Sequence, residues 1–263
     1  MNSILFAVLV LGVLGAGFGA VLSFASKIFY VEVDPKQADI RKCLAGANCG
    51  GCGFPGCDGY AAAVAAGKAP PNKCVAGGAE TAAKVAEIMG VAGGEAEKYY
   101  AFVPCSGKED HCEKRFNYTG PEDCRAAMLF GGKSNKTCTF ACIGLGNCVK
   151  VCKFDAMHIV EGVAKVDRNH CVGCGACADE CPKSIIKMLP ESQKIMPACS
   201  SHDKGVKVTK ICDFGCIGCM RCQRECEQSA ITVVDFLAVI DKQKCTNCGH
   251  CAEICPRHII EKF

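Results

Sequence analysis

The pattern of apolar and polar positions divides the chain into segments of different period. From Met1 to Ser26 no side chain is charged, and from Ile4 onward the run is almost wholly apolar. A helix needs roughly 20 such residues to cross a bilayer, so the pattern predicts a transmembrane anchor over 1–28 and a linker over 29–42. A cleavable signal would carry a basic start and a shorter apolar core, and this stretch has neither. Lys27, Lys36, Arg41 and Lys42 follow the span and nothing basic precedes it, which predicts a single pass with the bulk of the chain on the cytoplasmic side of the inner membrane. Gly12, Gly15 and Gly19 place small residues on adjacent parts of one helix face, a helix-docking pattern that is also common in membrane helices generally. Further on, Ala82, Val85, Ala86 and Met89 recur at helical spacing ahead of Gly90, predicting one short helix. Two later stretches alternate instead. Asp155-Ala-Met-His-Ile-Val160 through Asp167 and Ser229-Ala-Ile-Thr-Val-Val234 through Asp241 each predict a short β-hairpin, with Ile and Val side chains shielding what lies beneath from water.

Cysteine changes this picture, because 26 of the 263 residues are Cys and most fall into a repeat. Cys138, Cys142, Cys148, Cys152, Cys171, Cys174, Cys177 and Cys181 return 74 positions later as Cys212, Cys216, Cys222, Cys226, Cys245, Cys248, Cys251 and Cys255. The arms Cys171-x2-Cys174-x2-Cys177-x3-Cys181-Pro182 and Cys245-x2-Cys248-x2-Cys251-x3-Cys255-Pro256 have the spacing of bacterial two-cluster ferredoxins. In such an arm three close thiolates wrap one 4Fe-4S cubane and the fourth reaches the neighbouring cluster, so a cassette needs two arms. The first arm of the second copy, Cys216, Cys219, Cys222 and Cys226, is complete. In the first copy Leu145 stands where Cys219 would be, and Cys138 is the expected substitute ligand. Cys212 occupies the same repeat position beside a complete arm, which leaves another job open for this position.

A further group, Cys49-x2-Cys52-x4-Cys57 with Cys74 after Pro70-Pro71, has different spacing and predicts a separate module, with a helix over 57–66. Four cysteines of this kind suit a cluster or a zinc ion. Cys43 is expected to be a spare thiol. Pro104-Cys105-Ser106 and Ala198-Cys199-Ser200 form a related preface to each repeat. With Cys112, Cys124, Cys138 and Cys212 they could supply another cluster, a redox pair or neither, and the expectation is no cluster there. Disulfides are the alternative use of so many cysteines, but thiols two residues apart cannot all pair without strain.

Composition adds two exclusions. The formal charge of +3 counts thiols as neutral, whereas five oxidised cubanes at roughly −2 each would bring the protein to about −7. No basic stripe interleaved with aromatics points to nucleic acid. Aromatic residues are only 7% of the chain and Trp is absent, so the fold is expected to lean on its cofactors. No dinucleotide loop, His/carboxylate metal triad or nucleophile–base pair stands out, so no catalytic residue is assigned.

The apolar N-terminus, the Asn48-Cys49-Gly-Gly-Cys52-Gly-Phe-Pro-Gly-Cys57 module with Cys74, and the two following ferredoxin cassettes resemble the B subunits of Rnf complexes, the ion-translocating ferredoxin:NAD+ oxidoreductases, in their longer clostridial form. The resemblance implies an α+β fold: anchor 1–28, linker 29–42, 4Fe-4S module 43–76, linker 77–136 with extra cysteines, ferredoxin-like domains 137–190 and 211–263, and a linker 191–210 between them. It implies five cubanes. One is held by Cys49, Cys52, Cys57 and Cys74, a second by Cys138, Cys142, Cys148 and Cys181, and a third by Cys171, Cys174, Cys177 and Cys152. Cys216, Cys219, Cys222 and Cys255 take the fourth, and Cys245, Cys248, Cys251 and Cys226 the fifth. The implied role is relay of electrons from reduced soluble ferredoxin to membrane, flavin and NAD-binding subunits, with Na+ or H+ moved elsewhere in the complex.

Overall fold

The computed structural model describes residues 2–29, 34–92, 94, 97–131 and 133–263. Met1, residues 30–33 of the expected 29–42 linker, and residues 93, 95, 96 and 132 of the expected 77–136 linker lie outside the described residues. Helix α1 (Asn2–Ile28) contains a span, Leu5–Ile28, with mean hydropathy 2.5 and no part buried against the rest of the chain. A Cβ added at Gly12, Gly15 or Gly19 would meet nothing among the described residues, so the small-residue face finds no partner there.

Three helices build the next unit. Asp34 caps α2 (Pro35–Cys43), its carboxylate accepting from the Lys36 amide at 2.9 Å, and Pro35 at the first position costs no hydrogen bond. Helix α3 (Gly56–Ala65) covers the expected stretch, and α4 (Gly78–Met89) ends where Gly90 turns left-handed at φ 66°. Ile40, Leu44, Tyr60, Val64 and Val85 pack together between them, and the Tyr60 hydroxyl donates to the Pro70 carbonyl at 2.8 Å.

The remainder runs β1 (Tyr99–Phe102), α5 (Cys124–Gly131), α6 (Asn147–Val151), β2 (Met157–Val160), β3 (Val163–Val166), α7 (Ala176–Glu180) and β4 (Lys187–Pro190). It continues with β5 (Ile195–Pro197), α8 (Gly205–Ile211), α9 (Arg221–Arg224), β6 (Ile231–Val234), β7 (Leu237–Ile240), α10 (His250–Glu253) and β8 (Ile260–Lys262). Among the described residues the sheets are all two-stranded and antiparallel: β1–β4, β2–β3, β5–β8 and β6–β7.

The β2–β3 and β6–β7 hairpins fall on the two alternating stretches. Each is closed by two residues with positive φ, Glu161 (49°) and Gly162 (73°) in one, Asp235 (47°) and Phe236 (63°) in the other. That pair of conformations fits the tight turn whose twist matches the flanking strands. Glycine is needed opposite the first turn, because a Cβ on Gly144 would collide with the Gly162 carbonyl. Shielding comes from fewer side chains than the alternation suggests. Met157, Val163, Ala164, Ile231 and Ala238 are buried, whereas Val160, Val234 and Val239 are exposed.

Strands β1 and β5 fall in stretches expected to be linker. Each pairs with the strand after the last cysteine of its own repeat and leads directly into the preface cysteine, Cys105 or Cys199. Cys105 and Cys138 are 33 positions apart, whereas Cys199 and Cys212 are 13 apart. The first copy therefore carries an insertion of 20 residues between Cys105 and Cys138, the stretch that holds Cys112 and Cys124, and this breaks the 74-residue register that links the arms.

The two copies are clasped by an aromatic sandwich. The Arg168 guanidinium lies 3.7 Å from the Tyr100 ring centroid and 4.6 Å from that of Phe263, and Phe263 also meets Phe102 edge-on at 5.4 Å. Arg168→Ala should lower stability to anaerobic urea unfolding by about 1–2 kcal/mol, the scale of a partly desolvated cation–π pair. Iron content should be unchanged, because the rings that Arg168 touches bear no thiol.

Candidate metal centres

Short loops turn each cysteine group inward. At the starts of α6, α7, α9 and α10 stands a left-handed residue, Gly146, Gly175, Met220 and Gly249; Gly146 and Met220 are 74 apart, as are Gly175 and Gly249. The left-handed turn reverses the loop so that the cysteine two residues later enters the helix facing its predecessors.

In the module, Cys49, Cys52, Cys57 and Cys74 surround a cavity of about 320 Å³ at the start of α3. The Asn48 side chain fixes the loop, accepting from the Cys57 amide at 2.8 Å. In the second repeat, Cys216, Cys219, Cys222 and Cys255 line a cavity of about 360 Å³, and Cys226, Cys245, Cys248 and Cys251 line one of about 740 Å³. In the first repeat, burial pushes the Cys177 thiol up to about 12, helped by the negative potential of Cys171, Cys174 and Cys152, so these four share one neighbourhood. Backbone amides of Ala101 and Ala156 donate to the Cys171 and Cys152 sulfurs, each at 3.4 Å.

The remaining set departs from expectation. Cys142, Cys148 and Cys181 line a cavity of about 390 Å³, and the fourth cysteine there is Cys124, not Cys138. Cys124 opens α5, and its amide donates to Asn147 Oδ1 at 2.7 Å. The amide nitrogen of the nearly buried Asn147 in turn donates to Asp123 at 2.8 Å and Glu180 at 3.2 Å. Hydrogen bonds from the Ala126 amide and then from Asn147 hold the Asp123 carboxyl below its usual range. Asn147 is a positioning residue that sequence reasoning missed; its one signal is that the equivalent position in the second repeat is Arg221.

Cys138 lies instead beside Cys105, Cys112, Cys199 and Cys212 around a fifth cavity, of about 270 Å³. Cys43 ends α2 and lines none of these cavities, although it packs against the same apolar cluster as Cys52, Cys57 and Cys74; its carbonyl accepts from Thr81 Oγ1 at 3.4 Å.

Among the described residues, no three His, Cys, Asp or Glu side chains draw close enough to hold a single metal ion. The thiols ring cavities instead, a soft all-sulfur donor set with amides aimed at it, which fits an iron–sulfur cluster better than lone zinc. Burial pushes Cys148 up to about 12 and Cys142, Cys222 and Cys251 to about 11, so these thiols hold their protons at neutral pH until iron displaces them. Ligation must then release protons and gain strength as pH rises towards those values.

The metal-site geometry and the fold together define a class: a polypeptide that carries several iron–sulfur clusters in tandem two-cluster domains. The family model described as "Putative Fe-S cluster" matches residues 44–76, and the "4Fe-4S dicluster domain" model matches 141–185 and 215–259. Three relatives that match nearly the whole chain are named as B subunits of ion-translocating complexes. The chain is 47% identical to that of the Na(+)-translocating ferredoxin:NAD(+) oxidoreductase complex of Acetobacterium woodii, over 99% of this chain and 78% of the relative. It is 42% identical to that of the ion-translocating oxidoreductase complex of Methanosarcina acetivorans, over 99% of both chains. The counterpart in the proton-translocating ferredoxin:NAD(+) oxidoreductase complex of Clostridium ljungdahlii is 39% identical, over 99% of this chain and 93% of the relative. The chain belongs to the family of B subunits of Rnf-type ion-translocating oxidoreductase complexes.

Two outcomes follow for the thiols. Reconstitution of the apoprotein with iron and sulfide should acidify weakly buffered medium and proceed further at pH 8 than at pH 6, read as absorbance near 400 nm, roughly the region of thiolate-to-iron charge transfer. Cys124→Ala should cost one cubane, about four irons per chain, and Leu145→Cys added to that variant should restore it by rebuilding the ordinary arm.

Proposed function

We propose that this chain is the membrane-anchored electron relay of an Rnf-type complex, taking electrons from reduced soluble ferredoxin and delivering them to flavin-bearing and NAD-binding subunits. Five sets of thiols carry the relay: Cys49, Cys52, Cys57 and Cys74; Cys171, Cys174, Cys177 and Cys152; Cys124, Cys142, Cys148 and Cys181; Cys216, Cys219, Cys222 and Cys255; and Cys245, Cys248, Cys251 and Cys226. A cubane bound in each would supply one-electron chemistry.

The observation that carries this reading is the adjacency of the sets. The Gly51 position of the module approaches Cys174 so closely that a Cβ would stand 2.8 Å from its Cα. Lys153 adds hydrogen bonds to the carbonyls of Ala47 (3.2 Å) and Asn48 (2.9 Å), holding module and first repeat together. The negative potential that raises Cys148 includes contributions from both Cys124 and Cys177, so the two sets of the first repeat are neighbours as well.

Helix α1 supports anchorage, and the basic residues after it support a cytoplasmic location for the thiols. The span holds no charged side chain before Lys27, so ion movement is assigned to partner subunits. One relative is named for Na(+) translocation and another for proton translocation, so the family includes complexes that move either ion.

Anaerobically purified protein should bleach on addition of reduced ferredoxin and develop low-temperature EPR signals of reduced cubanes. A protein that bound zinc alone would remain silent to both. Purification from its own membranes should bring flavin-containing subunits with it; their absence would leave a relay serving some other oxidoreductase.

A further inference from the structure

We propose that Lys136 is a buried cation that stabilises an added electron on the cubane of the Cys124, Cys142, Cys148 and Cys181 set, making that set the place where an electron rests in the first repeat. The proposal rests on the reading that this set holds a cubane. Lys136 touches no ligand of the set and acts through its field.

The first observation is a charge buried without an ionic partner. Lys136 is 1% exposed, and its ammonium donates to the carbonyls of Gly107 at 2.7 Å and Gly162 at 2.8 Å. Among the described residues no carboxylate forms an ion pair with it. The acids beside the Gly162 turn, Glu109 and Glu161, are half exposed and pair instead with Lys114 and Lys108. Carbonyl dipoles alone do not offset the desolvation of an ammonium, so the fold keeps this one at a cost.

The second observation is where the charge is held. The Arg115 amide donates to the Asn135 carbonyl and the Thr137 amide to the Glu113 carbonyl, each at 2.8 Å, so Lys136 sits in a short antiparallel pairing. From there its side chain reaches the β2–β3 turn. The Gly162 carbonyl that it binds lies so close to Gly144 that a Cβ on Gly144 would collide with it. Gly144 lines the cavity of the Cys124 set, two residues beyond Cys142. Lys136 does not line that cavity, but a single peptide carbonyl stands between its ammonium and the wall, and its positive charge is felt at Cys142. The same charge is felt at Cys112, a preface thiol.

The repeat supplies a comparison. The residue 74 positions after Lys136 is Lys210, exposed at the end of α8. Water screens a charge placed there. Both copies keep a cation in the cavity wall, Lys183 in the first and Arg257 in the second, so the buried ammonium is what the first copy adds.

A cubane on four thiolates carries roughly −2 when oxidised, and an electron makes it more negative by one. A cation in a poorly screened interior therefore favours the reduced form and raises the potential. The electron leaves a reduced neighbour, which is oxidised by one, and no bond is made or broken. The set of Cys171, Cys174, Cys177 and Cys152 is such a neighbour, since the Cys148 thiol feels Cys177 as well as Cys124.

The test is a redox titration of full-length protein, purified anaerobically in detergent and followed by EPR, with Cys124→Ala assigning the signal by its loss. Lys136→Gln keeps a hydrogen-bond donor without charge, Lys136→Met replaces the buried ion by an apolar chain of similar length, and Lys136→Arg keeps the charge. At the wild-type midpoint the ratio of reduced to oxidised cubane should fall about tenfold in the Gln and Met variants, a downward shift of about 59 mV for one electron. Lys136→Arg and Lys210→Gln should titrate with wild type, and iron content should not change in any of them. An unchanged midpoint in the Gln and Met variants would overturn the proposal and assign the ammonium to the Cys112 thiol; an equal fall in the Arg variant would overturn it in favour of hydrogen-bond geometry. Should no variant at position 136 fold, the wild-type order decides. Asp123 and Glu180, which accept from Asn147, pull this cubane's midpoint down. A midpoint above that of the Cys216 set, assigned with Cys219→Ala, supports Lys136, and one below it overturns the proposal. If Cys124→Ala removes no signal, the reading of that set has failed and takes this proposal with it.

Discussion

Thiol sulfur, buried and drawn into groups, is the constraint on which the structure depends. The largest apolar cluster of the chain counts Cys105, Cys112, Cys138, Cys142, Cys148, Cys171 and Cys177 among its buried members, next to a few aliphatic side chains such as Val163, Ile185 and Leu189. Two-stranded sheets and helices of four or five residues cannot stand alone in water, since each closes too few hydrogen bonds for the backbone entropy it fixes. What organises them is the demand that particular sulfurs meet at one place. Burial makes those thiols reluctant to ionise, and iron bound as thiolate reverses that cost, so metal binding and folding are linked.

The repeat shows how this demand outlasts changes in sequence. Positive φ occurs at Asp155 and Ser229, Glu161 and Asp235, Ser184 and His258, pairs that share a repeat position but not a residue type. The backbone path is retained because it sets where sulfur points, even where an ordinary side chain sits in a left-handed conformation at a cost of about 1 kcal/mol. Ligand identity is freer than backbone path. Where Leu145 removes a thiol from the arm, a helix in the segment that carries the 20-residue insertion brings Cys124 to the same cavity, steadied by Asn147.

What could be read from sequence follows the same division. The hairpins, the helices over 56–65 and 78–89 and the spacing of the arms were legible, because each is written within a dozen residues as a period or a turn. The module thiols, and both sets of the second repeat, lie together as their local spacing suggests. Strands β1 and β5 were not legible. They are three or four residues long, and their partners lie more than sixty residues downstream. Register could not help, because the insertion shifts the preface of the first copy out of step with its arms. The place of Cys124 beside Cys142, Cys148 and Cys181, with Cys138 in the preface pocket, was not legible for a related reason: proximity in sequence favoured Cys138 as the replacement for the thiol missing at Leu145, while Cys124, farther away, is delivered by tertiary structure. The gathering of five preface cysteines is likewise a product of β1 and β5, which lead into Cys105 and Cys199 and so bring both to one pocket.

The order of contacts then bears on how such a chain conducts. The module abuts the Cys174 loop, that set neighbours the one containing Cys124, and the Cys142 backbone touches the pocket of preface thiols. From the second repeat the pocket is touched by Cys216, the first ligand of that copy. If those five thiols served only as packing, each repeat would still be internally continuous, but the junction between them would still carry the cost of Lys136, 1% exposed with its ammonium on the Gly107 and Gly162 carbonyls. Packing alone could have been achieved with aliphatic residues at no such cost, as it is between α2, α3 and α4, where Ile40, Val64 and Val85 meet. Lys136, buried close enough to that pocket of sulfur for its charge to be felt at Cys112 and Cys142, is therefore the feature that a purely aliphatic junction would leave without a cause.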